Sequence, residues 1–140
     1  MKACYRKLHR YKYQLMDDYT IQIDIKPVQD IEFEYMSLSS EGLLNIRKHY
    51  AWDGPSGLTI DTRSFMRGSL VHDALYQLMR LGALDHKVHR KRADEILREI
   101  CLEDGMCSFR AWYVYQAVHI FAGKAAQPKD ESEVEIIRVP

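Results

Sequence analysis

Apolar positions in the first part of the chain recur at every second residue. Tyr11, Tyr13 and Leu15 alternate with polar residues, and Ile21, Ile23 and Ile25 alternate with Thr20, Gln22 and Asp24. Ile31, Phe33 and Tyr35 then alternate with Asp30, Glu32 and Glu34. Period-two alternation of β-branched and aromatic residues predicts half-buried strands, and the charged outer positions fit an antiparallel sheet with one wet face. Asp17-Asp18 is a turn signal and Pro27 ends the second run. Glu41 to Tyr50 suits either a strand or a short helix, since Leu43, Leu44 and Ile46 fit both. Ala51 to Ile60 reads as a loop, because Trp52-Asp53-Gly54-Pro55-Ser56-Gly57 concentrates turn-forming residues.

After Asp61-Thr62 the period becomes helical. Ser64 to Leu81 carries Phe65, Val71, Leu75, Leu78 and Met79 at helical spacing, with Gly82 as its stop. A second helix is predicted from about Val88 to Glu103, with Ala93, Ile96, Leu97 and Ile100 inside and Asp104-Gly105 at its end. A third runs from Ser108, a candidate cap, to Phe121; its apolar positions are Trp112, Tyr113, Ala117, Ile120 and Phe121. The residues from Gln127 to Glu135 are polar, and Val134, Ile136 and Val139 fit a short edge strand. The expected architecture is α+β: a small antiparallel sheet packed with a three-helix bundle. It forms one domain, with a strand-rich part at 1–61, a helical part at 62–123 and a polar tail at 124–140.

Composition narrows the classes. The chain has 140 residues, 46% hydrophobic and 29% charged, which excludes disordered and collagenous classes. Twenty basic and twenty acidic residues leave no net field for nucleic acid or an anionic membrane, so nucleic acid is not an expected partner. No apolar run reaches the ~18 residues of a membrane span, and no apolar stretch follows the charges at the start, so no signal peptide is expected. Cys4, Cys101 and Cys107 are odd in number and form no CxxC pair, which fits free thiols in a reducing compartment. Cys101 reads as a core thiol.

The sharpest chemical feature is Val71-His72-Asp73-Ala74-Leu75-Tyr76. On a helix His72 and Tyr76 share one face, while Asp73 points about 100° away. Asp94 lies beside the apolar stripe of the second helix and needs a partner if buried. An imidazole N–H and a phenolic O–H both donate to a carboxylate, so His72 and Tyr76 can supply it. That contact fixes the His72 tautomer and leaves the other ring nitrogen as a general base. Asp73 is then left for a hard cation, with carbonyl oxygens from the loop containing Asp53 and Gly54. The bland alternative is a buried polar network that locks helices together without chemistry. Lys87, His89, Arg90 and Arg92 lie in a basic run that either contacts phosphate or an interface, or is simply a solvated helix start.

His72-Asp73-Ala74-Leu75-Tyr76 resembles the active-site helix of the phospholipase A2 family, with its motif His-Asp, any residue, Cys, Tyr. The resemblance implies His72 as base for attack of water on a phospholipid ester, Asp73 as calcium ligand, and Tyr76 with Asp94 as the brace. Leu75 stands where that family has Cys, and its cysteine framework is absent. A second resemblance takes in Asp53-Gly54-Pro55-Ser56, His72-Asp73-Ala74-Leu75-Tyr76 and Arg90-Lys91-Arg92-Ala93-Asp94. In order and spacing they resemble a family of small tailed-bacteriophage proteins, domain of unknown function 1353. It implies a phage gene, synthesis in the host cytoplasm, and assembly with other virion proteins, those of the tail first.

Three functions follow as expectations. The first is a calcium-dependent hydrolase of lipid or another ester, acting at a lipid or membrane surface in virion entry or lysis. The second is a non-catalytic component of a phage tail or baseplate, with Tyr-rich strands and the third helix as contact surfaces. The third is a transition-metal phosphohydrolase, since His49, His72-Asp73 and Asp94 resemble the His-Asp metal order.

Overall fold

The computed structural model describes residues 3–7, 13–52 and 63–121. These form two compact units, one carrying the strands and one carrying the helices. The class is α+β, as the change of period predicts.

The strand unit contains β1 (Tyr5–Lys7), β2 (Tyr13–Leu15), β3 (Tyr19–Gln22), β4 (Ile31–Glu32), β5 (Met36–Leu38), β6 (Leu43–Ile46) and β7 (Ala51–Trp52). They make two antiparallel sheets, with orders β1-β2-β7 and β3-β6-β5-β4. In the larger sheet Met36 faces Ile46 and Leu38 faces Leu44, all four buried, so cross-strand apolar pairs set the register. The ambiguous stretch 41–50 therefore holds a strand. Gly42 precedes it at φ +89°, where a Cβ would sit 2.1 Å from the Ile23 carbonyl oxygen; no other residue fits that turn. Ala51 and Trp52, expected in a loop, form β7 instead, Trp52 pairing with Tyr13 of β2; the rest of the expected loop lies outside the described residues. Trp52 also meets the rings of Tyr5, Tyr13 and Tyr50 at 5.9, 5.6 and 6.4 Å, a gain too local for a periodicity to reveal. Tyr11 and the tail strand expected at residues 134–139 lie outside the described residues.

The helical unit contains α1 (Arg63–Arg80), α2 (His86–Glu103) and α3 (Ser108–Phe121). Asp85 caps α2, its carboxylate accepting from the Lys87 backbone N–H at 2.9 Å. That negative charge partly offsets the basic residues placed against the helix dipole. Both glycine stops act as expected. Gly105 (φ +98°) donates to the Leu102 carbonyl and Met106 to that of Cys101; Gly82 (φ +78°) donates to Met79 and Ala83 to Leu78. These paired bonds satisfy the terminal carbonyls of α2 and α1. Ser108 does not cap α3: it is the first helical residue, and the Cys107 carbonyl before it accepts from Ala111.

α1 and α2 approach closely at Gly68. A Cβ there would lie 2.8 Å from Leu97 Cδ1 and 3.0 Å from Cys101 Sγ. Leu97 and Cys101 belong to a core with Phe65, Met106, Ala111 and Val114, so neither has room to retreat. At the same end Arg67, 8% exposed, grips Asp104 through Nε and Nη2 at 2.9 Å each and reaches Glu103 at 2.9 Å. A forked guanidinium thus ties the start of α1 to the end of α2.

For α3 the expected buried face is corrected. Ala111 and Val114 are buried and Val118 packs on the core, whereas Phe109, Trp112, Tyr113 and Ile120 are exposed. The helix is apolar nearly all round, so periodicity does not select the face; the small Ala111 and the branched Val114 are what fit the core.

Two outcomes follow from this packing. Gly68→Ala adds a methyl group where α1 and α2 touch and is expected to lower stability by about 1–3 kcal/mol despite the gain in helix propensity. Urea unfolding measures it, and an unchanged or raised midpoint contradicts the close approach. Burial pushes the Cys101 thiol up to about 12, with the Asp104 charge adding to the rise and Arg67 opposing it. A thiol reagent is expected to label exposed Cys4 and Cys107 in the native protein and Cys101 only after unfolding; three fast thiols contradict this.

Candidate functional site

The site is built from Asp94 outward. Asp94 is fully buried, and a buried carboxylate must be paired or hydrogen-bonded. Its Oδ1 is 2.7 Å from His72 Nε2 and accepts from the Tyr76 hydroxyl at 2.6 Å. Both donors come from α1. Their i, i+4 spacing brings the two rings to 4.1 Å between centroids, side by side over one oxygen. Asp94 Oδ2 faces α3, where His119 Nδ1 lies at 3.4 Å. One carboxylate of α2 thus collects side chains from both α1 and α3.

His72 is 6% exposed. With Nε2 on Asp94, its Nδ1 is turned toward Asp73, whose Oδ1 is 4.0 Å away. That is too long for a good hydrogen bond but close enough to attract a proton on the ring. Burial pulls the His72 pKa down, but the contacts and charges of Asp73 and Asp94 outweigh it, and the net shift is upward from 6.5. The Tyr76 hydroxyl is held protonated well beyond its ordinary range, first by burial and then by Asp94, with Arg90 opposing. Its proton is therefore kept for the bond to Asp94 Oδ1.

His72, Tyr76 and Asp94 are brought together as the sequence suggests. Asp73 stands beside His72 with its side chain 31% exposed. The other expected metal ligands, Asp53 and Gly54, lie outside the described residues. Among the described residues no group of three His, Cys, Asp or Glu side chains is placed to hold a metal ion. Asp73 alone does not make a calcium site. His49 belongs to the strand unit, on an exposed turn at φ +80°.

The basic run divides. Lys87 is exposed and His89 half-buried. Arg90 Nη1 donates to the His119 carbonyl at 2.8 Å, holding the last turn of α3. Arg92 pairs with Glu99 at 2.5 Å and with Glu95 at 3.7 Å on the solvent side.

The residue missed by the sequence is His119. A signal was there: Tyr115 and His119 repeat, in reverse order, the phenol–imidazole spacing of His72 and Tyr76, on a helix without carboxylates. Their rings stack at 5.7 Å and 10°.

Comparison with known proteins adds one match. A family model described as protein of unknown function (DUF1353) matches residues 55–118. The matched segment, somewhat under half of the chain, holds His72, Asp73, Tyr76 and Asp94 and stops one residue short of His119. That description assigns no activity. No curated protein and no solved structure matches the chain.

The raised pKa of His72 makes stability depend on pH in a defined sense. A group bound more tightly to its proton in the folded state stabilises fully below its unfolded pKa, and loses that effect as pH rises through its folded pKa. The gap in melting temperature between the native protein and His72→Gln is therefore expected to be wider at about pH 6 than at about pH 9. A gap that stays constant or widens with pH contradicts the two-carboxylate environment of His72.

Proposed function

We propose that the chain is a hydrolase of carboxylic esters, with a lipid ester as the first substrate class, in which His72 is the general base. The observation that supports the reading is the bond from His72 Nε2 to a fully buried Asp94. It fixes which ring nitrogen carries the proton and turns Nδ1 away from the carboxylate that orients it. Water would give a proton to Nδ1 as its oxygen bonds to the ester carbonyl carbon. The carbon–oxygen bond to the leaving group then breaks, and the departing alkoxide takes that proton from Nδ1. Tyr76 keeps Asp94 in place and stays protonated throughout. Calcium, expected on Asp73, Asp53 and Gly54, enters only as a reagent to be added or chelated.

A second reading is favoured by the 6% exposure of His72 and by the bare aromatic face of α3, where Phe109 is 75% and Tyr113 50% exposed. In it the Asp94 network only locks the helices, and α3 is the contact surface of a non-catalytic phage-particle component.

One experiment separates them. Fatty-acid release from a short-chain phospholipid is followed with calcium and with chelator, for the native protein and His72→Ala. The hydrolase reading expects release that drops at least ~100-fold in the variant. It also expects a rate that climbs with pH through a midpoint above 6.5, because the base must be neutral. Absence of release under both conditions, with His72→Ala changing only the melting temperature, favours the structural reading.

A further inference from the structure

We infer that His119 is a positioning residue of this site, holding the Asp94 carboxylate in the orientation that His72 needs; the inference rests on the hydrolase reading for its kinetic consequence only. Oδ1 of Asp94 already serves two donors, His72 Nε2 at 2.7 Å and the Tyr76 hydroxyl at 2.6 Å. Oδ2 is on the far side of the same group, and Asp94 has no exposed surface through which bulk water could serve it. His119 Nδ1 at 3.4 Å is the partner placed there. Without a donor on Oδ2 the carboxylate is free to rotate and share both oxygens between His72 and Tyr76, loosening the hold on the imidazole.

His119 is itself held on several sides. Its ring stacks on Tyr115, and the Arg98 guanidinium lies 5.9 Å from the centre of that Tyr115 ring. Arg90 fixes its backbone carbonyl from α2. Arg90, Asp94 and Arg98 are spaced four apart, so one face of α2 meets Tyr115 and His119 of α3. Among the described residues the buried Nε of Arg98 has no hydrogen-bond partner, and its guanidinium lies against the Tyr115 ring. The side chain of His119 is 36% exposed, so the pair it forms with Asp94 joins the buried network to the surface.

Two variants separate packing from hydrogen bonding. His119→Phe keeps a ring for Tyr115 and removes the donor; His119→Gln gives up the ring and keeps a donor. The inference expects kcat for phospholipid hydrolysis to fall about tenfold in His119→Phe with KM unchanged, and to recover in His119→Gln. At one fixed pH, the proton resonance of His72 Nε2–H is expected to shift or broaden in His119→Phe and to return in His119→Gln. Unchanged kcat and an unchanged His72 resonance in His119→Phe overturn the inference, as does an equal loss in both variants that follows their melting temperatures. If the native protein hydrolyses nothing, the hydrolase reading fails, while the His72 resonance still decides the role of His119.

Discussion

A single buried carboxylate dictates how the three helices are arranged. Asp94 has no exposed surface, and an unpaired charge in such a place is costly enough to unfold a domain of marginal stability. Its oxygens must be met by donors on fixed elements. α1 provides two through one helical turn, and α3 provides the third. Losing any of these leaves part of a charge unsatisfied, so the penalty exceeds the loss of one ordinary hydrogen bond.

The rest of the helical unit makes that meeting possible. Gly68 lets α1 and α2 approach closely, and Arg67 anchors the same end of the pair through Asp104. From Gly68 to His72 and Tyr76 is one turn and then another, so the face of α1 that touches α2 at Leu97 also carries the donors for Asp94. Apolar packing around Leu97, Cys101 and Val114 and polar pairing around Asp94 therefore constrain each other.

Much of this was legible in the chain. The switch from period two to helical period placed strands before helices, and Gly82 and Gly105 ended α1 and α2 where expected. His72, Tyr76 and Asp94 were readable as a group because imidazole, phenol and carboxylate are complementary and the first two are four residues apart. β7 was not legible, since two residues show no period and its pairing with β2 bridges distant sequence. The buried face of α3 was not legible either, because Trp112, Tyr113 and Ile120 are as apolar as the residues that fill the core. His119 escaped because its spacing from Tyr115 is visible in the chain, whereas the packing of α3 that brings it to Asp94 is not.

Whether the network is catalytic turns on one proton. A base needs His72 neutral, with its proton on Nε2 facing Asp94 and its lone pair on Nδ1. A structural lock needs only charge balance and works equally well with an imidazolium. The most direct measurement is the side-chain ¹H–¹⁵N correlation spectrum of histidine in the native protein at about pH 9, well above the ordinary imidazole range. The account predicts His72 as the Nε2–H tautomer, its proton shifted downfield by Asp94. A proton on Nδ1, or an imidazolium that persists at that pH, would contradict it.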